Sequence, residues 1–420
     1  MSAEKEKQIT ESRPTSEAKR SGSVWETLLV PLLSVFTGLV IGGIVIAVTD
    51  AKTVAAFGNF FQAPGAAFVA TWQAVATAYG ALFSGALGNP GEMIAAFRIY
   101  QSTGDSAALL KAFYPLTESL VTATPYMFAG LAVALGFRAG LFNIGAEGQF
   151  YLGALGAALI GYSIKGLPAY IHLPLAILGG ALAGALWGAI PGYLKARFGA
   201  HEVVNTIMMN WIAFRLSDWL LTGPMKASGF RPVTPNIEAT AELPRLFPAP
   251  LRFNWGFFLA LAMAWLVYWF LFKTTLGFEI RAVGANPDAA KYAGMNIVRN
   301  TVLVMVLSGG LAGLSGASQV LGVDHWVGQG FSAGYGFDSI AVALLGKSHP
   351  FGVVLAALLF GILRGGATRM QSMAGIPIDI ISIIQGLVIV FVAAPSIIRS
   401  IYRIKISRAE TTVLTRGWGR

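Results

Sequence analysis

The sequence contains no cysteine, only four histidines and few charged residues, which make up 12% of its 420 positions. Without cysteine, the chain has no disulfide, no thiolate metal ligand and no cysteine nucleophile. The four histidines lie far apart and show no metal-ligand spacing. Soluble domains carry about 25% charged residues, roughly twice the supply found here. This shortage of charge excludes an ordinary water-soluble fold.

Long apolar runs are abundant instead, since 55% of the residues are hydrophobic and the mean hydropathy is +0.64. About 20 mostly apolar residues cover a membrane core of about 30 Å. The sequence therefore predicts an all-α polytopic membrane protein with about ten transmembrane helices. The predicted spans are residues 27–48, 116–136, 149–164, 171–193, 202–222, 254–272, 301–321, 337–346, 350–366 and 377–398. The eighth of these is too short to cross alone as a straight helix.

The net charge of +10 fits basic cytoplasmic segments better than a nucleic-acid partner. Lysine and arginine are concentrated in both terminal segments and in alternate connections, which predicts that both termini are cytoplasmic. The predicted organisation is a polar cytoplasmic tail over 1–26, a transmembrane domain over 27–398 and a basic cytoplasmic tail over 399–420.

A long segment, 49–115, is predicted to lie on the outer side. It includes an apolar stretch, 66–88, which could be an eleventh crossing. Polar sequence follows this stretch, and one more crossing would reverse the charge asymmetry of every later connection. An interfacial or re-entrant helix is therefore the favoured prediction.

Small residues predict close helix packing. Four glycines recur at every fourth position of the fourth span, which places them on one helix face, and a shorter version occurs in the seventh span. They are Gly180, Gly184, Gly188 and Gly192, with Gly309 and Gly313 in the seventh span. Such a seam lets two helix backbones approach closely, and it predicts packing rather than chemistry.

A short repeat links the two halves of the chain. The third span opens with Gly145-Ala-Glu147 and the eighth with Gly336-Phe-Asp338. In the predicted topology these two spans run in opposite directions, as an inverted repeat of two five-helix halves requires. Translocation paths in such folds lie between the halves, beside broken helices.

The junction between the second and third spans, residues 138–149, has an unusual density of glycine and polar residues. Asn143, Glu147 and Gln149 place hydrogen-bonding groups next to the membrane, where such groups are costly unless they face a cavity or a partner. A gate or pathway element is one interpretation, and a helix-capping turn is the other.

Further polar or aromatic residues within the predicted spans are candidates for lining a path for a hydrophilic solute. For each of them, ordinary packing between helices is the competing interpretation. These candidates are Asn205, Asn210, Trp211, Asp338 and Gln385.

The inner loop 273–300 contains a complete set of helix signals. Asn286 is a good N-cap, Pro287 suits the first helical position, Asp288 complements the positive end of the helix dipole and Gly294 suits the C-terminal stop. They predict an exposed helix of about two turns, too short to be stable alone in water. A soluble partner that receives this helix is one explanation, and an ordinary loop helix is the other.

No enzyme motif is present. Leu345-Gly-Lys-Ser348 resembles the end of a P-loop, but Ala341 stands where that motif needs a glycine. There is also no cluster of acidic residues for a metal-dependent transferase. The sequence predicts neither a catalytic residue, nor a metal site, nor a cofactor, and the chain is not expected to hydrolyse ATP itself.

Three segments together resemble the permease subunits of bacterial ABC importers of the nucleoside and simple-sugar type. The wider superfamily also holds ribose and branched-chain amino acid permeases. The segments are 140–149, 281–294 and 337–346, and the resemblance covers about residues 116–398. It implies a multi-pass protein of the bacterial cytoplasmic membrane that translocates a nucleoside or simple sugar.

The resemblance also implies partners: a cytoplasmic ABC ATPase, a second related permease and an extracytoplasmic substrate-binding protein, besides membrane lipid. In this family the loop after the sixth span bears the helix that couples the permease to the ATPase. The positions that correspond are Gly284, Asn286, Pro287, Asp288, Ala289, Ala290 and Gly294. An ion-coupled secondary transporter is the alternative, because inverted repeats occur there too. It would need charged groups in mid-span.

Overall fold

The computed structural model describes residues 24–332 and 334–403, and the predicted terminal tails lie largely outside these ranges. Within them, all regular elements are helices, accompanied by two isolated β-bridges. The predicted all-α polytopic fold is therefore confirmed.

The α-helices are joined by short connections, apart from the long loop between the eighth and the ninth. They are α1 (Val24–Thr49), α2 (Ala51–Gly58), α3 (Pro64–Leu87), α4 (Pro90–Thr103), α5 (Ala107–Arg138), α6 (Ala146–Ser163), α7 (Ala169–Phe198), α8 (Glu202–Thr222), α9 (Gly256–Lys273), α10 (Thr275–Ala285), α11 (Pro287–Tyr292), α12 (Ile297–Gln319), α13 (Tyr335–Leu345), α14 (Pro350–Ala374), α15 (Asp379–Ala393) and α16 (Pro395–Ile401). A π-helical turn, Val320–Asp324, extends α12.

Seven of the described helices are long and apolar enough to cross a membrane, and an eighth is added if α15 and α16, which meet at 90°, count as one span. The predicted number of ten is thus approximate. The end of the bundle that carries residues 273–300 is called the coupling end below, and the other is called the opposite end.

The predicted eighth span is only half a span. Helix α13 has eleven residues, which gives a length of about 16 Å, against a membrane core of about 30 Å. It ends at the coupling end, where the Arg138 Nε donates to the Ser348 carbonyl at 2.9 Å. It begins in the interior of the bundle, where Gly336 packs on the backbone of Glu147. This segment therefore does not cross the membrane by itself.

The glycine seam packs α7 against α12, as predicted. A Cβ atom at Gly184 would lie 2.3 Å from the Gly309 carbonyl oxygen, and one at Gly313 would lie 2.4 Å from the Gly180 carbonyl oxygen. Helix α6 joins the same contact, because Gly153 would place a Cβ 2.2 Å from the Gly313 Cα. The backbones of three helices are therefore in direct contact at the centre of the bundle.

Residues 66–88 form most of α3, which has the length of a span and packs on α14, with Leu82 against Gly366. Helix α1 runs antiparallel to α15, since Gly38 lies against Val388 and Gly42 against Ile384. The C-terminus of α1 and the N-terminus of α5, which flank α2–α4, therefore both lie at the opposite end. A segment flanked in this way crosses an even number of times, and the interfacial placement of 66–88 stays a prediction.

Candidate functional site

The three polar residues of the predicted junction, Asn143, Glu147 and Gln149, are buried in the interior of the bundle. The Asn143 amide nitrogen donates to the Gln149 Oε1 and to the Ser308 hydroxyl, both at 2.9 Å, and its oxygen accepts from the Gly145 backbone N–H at 2.9 Å. Ser308 in turn donates to the Ala132 carbonyl at 2.7 Å. Asn143 is fully buried. Its amide connects α6 to α12, and Ser308 extends this connection to α5.

Asn210 of α8 supports the same junction. Its oxygen accepts from the Gly148 N–H at 2.9 Å, and its nitrogen donates to the Ile144 carbonyl at 3.0 Å. The side-chain amides of Asn143 and Asn210 thus bond backbone groups of the junction loop and of the first turn of α6 that lack a helical partner. At these two positions the geometry is that of a structural junction between helices.

Glu147 joins the two segments of the predicted repeat. One of its carboxylate oxygens accepts from the backbone N–H groups of Gly336 at 2.6 Å and Phe337 at 3.3 Å. Helices α6 and α13 start here and diverge, α6 toward the opposite end and α13 toward the coupling end. The N-termini of both helices carry positive partial charge, so the buried carboxylate stabilises their meeting point.

Three predicted pathway residues lie away from this junction. Trp211 is 56% exposed on the outside of α8. Asn205 is half-buried one and a half turns earlier, and its amide nitrogen has no hydrogen-bond partner among the described residues. Gln385 of α15 is buried, and its amide nitrogen also has no hydrogen-bond partner among the described residues.

Asp338, in contrast, belongs to a charged cluster that includes residues not singled out from the sequence. Its Oδ2 accepts from the Tyr126 hydroxyl at 2.8 Å and from the Arg364 guanidinium at 3.1 Å. Arg364 also donates to the Tyr126 hydroxyl at 2.6 Å and lies over the Tyr335 ring at 5.1 Å. An arginine inside the predicted span 350–366 is a signal that sequence reasoning could have used.

The short capped helix predicted within the inner loop is present as α11. The Asn286 side chain accepts from the Ala289 N–H at 3.1 Å, and Gly294 has a φ of +82°, a value that favours glycine. Every residue from Asn286 to Gly294 is exposed except Ala290, and Tyr292 is 96% exposed. The N-cap and the C-terminal stop are therefore where the sequence placed them.

Gly284 has a different environment from the rest of its predicted group. A Cβ atom there would lie 2.4 Å from the Arg138 carbonyl oxygen, and Gly140, at a φ of +70°, contacts Gly284 in return. The base of the coupling loop is therefore in backbone contact with the beginning of the 138–149 junction.

Glu279 holds together the two helices on either side of α11, within the loop 273–300. Its carboxylate accepts from the Asn300 amide at 3.0 Å and from the Arg299 guanidinium at 2.8 Å. These two contacts, the Asn300 hydrogen bond first, lower the pKa of Glu279 below its usual value. The carboxylate is thus charged at neutral pH and ties α10 to the start of α12.

At the opposite end, the proline-rich loop 223–253 is folded onto the end of α12. The Ile237 N–H donates to the His325 carbonyl at 2.9 Å, and the Leu243 N–H donates to the Leu321 carbonyl at 2.8 Å. Arg215 and Asp218 of α8 form an ion pair at 3.3 Å near this end. This end of the bundle is therefore covered by an ordered cap.

Residues 116–393 match the family model described as the branched-chain amino acid transport system permease component. The guanosine ABC transporter permease of Bacillus subtilis is 38% identical over 377 residues, which are 89% of this chain and 94% of that protein. The glucose ABC transporter permease of Haloferax volcanii is 38% identical over 306 residues, 70% of this chain and 80% of that protein.

A nucleoside ABC transporter permease of Lactococcus lactis is 36% identical over 296 residues, 67% of this chain and 79% of that protein. No solved structure shows significant similarity to the chain. The family match covers well over half of the sequence, and the relatives are permease subunits rather than enzymes. The chain therefore belongs to the branched-chain amino acid transport system permease family, as a membrane-spanning permease subunit of an ABC importer.

Proposed function

We propose that this permease subunit imports a nucleoside across the bacterial cytoplasmic membrane. The observation that carries the proposal is the similarity to a guanosine permease over 94% of that protein's length. A match of this extent includes the outer segment 49–115 as well as both segments of the repeat, which meet at Glu147 and Gly336. The similarity is therefore not confined to the general permease core.

A simple sugar is the second candidate solute. The glucose permease is equally identical, although the match covers a smaller share of both proteins. Both solute classes are uncharged and rich in hydroxyl groups. They differ in the flat base, which a nucleoside has and a sugar lacks.

Uptake by the assembled importer tests the choice of solute. The chain is expressed with its ATPase, second permease and binding protein in cells that lack their own nucleoside and sugar importers. We expect ATP-dependent accumulation of radiolabelled guanosine that excess unlabelled nucleoside inhibits and excess glucose does not. Accumulation of glucose with no inhibition by nucleosides would overturn the nucleoside proposal and support a sugar.

The membership of an ABC importer implies a partnership with an ATPase and a substrate-binding protein. For the ATPase, α11 is the proposed docking element, because it is exposed and short and carries its own capping residues. An open groove of about 430 Å³ beside it is lined by residues that include Phe278, Gly294 and Arg299. We propose that this groove binds a side chain of the ATPase.

Replacing the two ends of this helix tests the docking proposal. In the double variant Asn286→Ala, Gly294→Leu, the cap is lost and the left-handed stop is strained, so α11 no longer holds its shape. We expect uptake to fall at least tenfold, with ATP hydrolysis no longer stimulated by solute and with normal expression.

Asn89→Ala is the matched control. Asn89 caps α4 by accepting from the Gly91 N–H at 2.9 Å, and it does not belong to the loop 273–300. Normal uptake by the double variant would show that the ATPase docks elsewhere.

The binding protein is proposed to dock on the opposite end, over the cap of residues 223–253. A second related permease is proposed as the remaining membrane partner. With this orientation both termini are proposed to be cytoplasmic, which the distribution of basic residues supports.

A further inference from the structure

The cluster of Asp338 and Arg364 lies deep within the membrane core. Along α5 and α14, Tyr126 and Arg364 are about 18 and 21 Å from the coupling ends of their helices, and Asp338 is about 10 Å from that end of α13, at about 1.5 Å per residue. The core is about 30 Å thick. All three side chains are therefore at intermediate depth rather than at an interface.

Among the described residues, the two side chains of the charged pair are nevertheless only partly buried. The side chains of Arg364 and Asp338 are 29% and 30% exposed. Charged side chains are rarely placed against lipid at mid-depth, because leaving them there without a polar partner or water is costly. The exposed side of the pair is therefore not the lipid-facing surface of the protein.

The polar surface continues from this pair toward the opposite end along α14. Thr368 and Gln371 follow Arg364 at the fourth and seventh positions, so the three residues share one helix face. Both Thr368 and Gln371 are exposed. Beyond mid-depth, this face of α14 is thus hydrophilic up to the end of the helix.

Helix α5 supplies a second polar row on the same side. Helices α5 and α14 are antiparallel and touch where Ala123 meets Gly361. Glu118, Thr122 and Tyr126 recur at every fourth position on one edge of that contact, and Tyr126 reaches Arg364 from there. At the far end of this row, the Arg252 guanidinium Nε donates to Glu118 at 3.1 Å.

Toward the coupling end the same helices are closed. A Cβ atom at Gly130 would lie 2.8 Å from both Val342 of α13 and Val353 of α14, and these residues are buried. The polar surface therefore ends at the Asp338–Arg364 pair. Between this pair and the coupling end, the three helices make a buried apolar contact.

We propose that the polar surface formed by α5, α13 and α14 lines a groove, that this polar groove is the half of the solute pathway that opens to the opposite end, and that Asp338 and Arg364 are the solute contact at its base. The proposal deepens the proposed function and rests on it for the nature of the solute. A carboxylate and a guanidinium together offer an acceptor and several donors with no net charge. This combination suits an uncharged solute with donors and acceptors on one edge, as a nucleobase has.

The absence of native cysteine makes the groove testable by single cysteine substitution in the complete importer. Thr122→Cys and Thr368→Cys change the rows without touching the charged pair. A charged methanethiosulfonate reagent reacts only with thiols that water reaches. We expect both variants to be modified at least tenfold faster than Leu182→Cys, a 60% exposed position of α7 at similar depth.

Guanosine and glucose are then added separately as protecting probes. Slower modification with guanosine alone supports both the groove and the nucleoside proposal. If only glucose slows the modification, the result supports the groove proposal and overturns the nucleoside proposal. Rates no higher than that of Leu182→Cys at both threonine positions would overturn the groove, whatever the solute.

The charged pair itself is tested by Asp338→Asn and Arg364→Gln, which remove the charges and keep polar side chains. We expect uptake to fall at least tenfold in each, with a raised KM, while the complex still elutes as one assembly. Arg215→Gln is the matched control, because its ion pair with Asp218 is exposed and belongs to α8 alone. An unchanged KM in both pair variants would overturn the assignment of a solute contact.

Discussion

Among individual residues, buried amides and exposed charges have separate tasks in this permease. Asn143 and Asn210 use their side chains to satisfy loop backbone in the interior, where unpaired polar groups are costly. Asp338 and Arg364 pair with each other and still leave part of their surface uncovered. Hydrogen-bonding capacity inside a span is therefore a poor guide to the pathway unless exposure is known.

Removal of the Asn143 amide should destabilise the bundle. Asn143→Ala removes contacts to Gln149, Ser308 and the Gly145 N–H, and side-chain hydrogen bonds between membrane helices contribute about 0.6 kcal/mol on average and up to about 1.7. We expect a loss of about 2 kcal/mol, measured as a lower midpoint of thermal unfolding in detergent.

Asn205→Ala is the control for this change, since it removes the same group from a position where the amide nitrogen has no partner among the described residues. An equal drop in both variants would contradict the assigned role of Asn143.

At the level of helices, two features organise the bundle: the glycine seam and the pair of half-helices. The seam brings α6, α7 and α12 into backbone contact, so any side chain there must separate them. Helices α6 and α13 start at Glu147 and run to opposite ends. An inverted repeat predicts such a pair, and the match of three residues in each half was its sequence signal.

Gly184→Leu should prevent assembly of the seam. Its Cβ alone would lie 2.3 Å from the Gly309 carbonyl oxygen and 2.6 Å from the Gly313 Cα, which no rotamer relieves. We expect the amount of folded protein in the membrane to fall at least tenfold, measured by fluorescence-detected size-exclusion chromatography. Gly80→Leu in α3, where no atom lies within 4 Å of the added Cβ, should express normally. Normal folding of the Gly184 variant would refute the close approach.

For the whole molecule, the orientation follows from which end each loop occupies. Tyr292 of α11 is 96% exposed at the coupling end, and Phe230 of the cap is fully exposed at the opposite end. We expect a membrane-impermeant maleimide to label Phe230→Cys in intact spheroplasts, and to label Tyr292→Cys only after permeabilisation. The reverse pattern would invert the topology and remove the proposed ATPase site from the cytoplasm.

The local features of the chain were largely available from the sequence. The helices, the caps of α11 and the glycine seam depend on spacing along one element, and hydrophobic periods, capping residues and small-residue repeats encode them directly. Gly284 shows where this ends. It was grouped with the coupling helix, but its close contact is with Gly140, which is more than 140 positions earlier in the chain.

The sequence by itself determined that the chain is a helical membrane protein with an exposed, self-capped helix at one connection, because composition and local spacing decide those properties. Only the tertiary structure decided which polar residues are buried and which stay partly exposed. Exposure depends on which helices lie beside a residue, and neighbours from distant parts of the chain leave no local pattern. Asn143 and Arg364 both appear in the sequence as polar residues near or within apolar runs, and their neighbours alone separate a structural amide from a proposed solute contact.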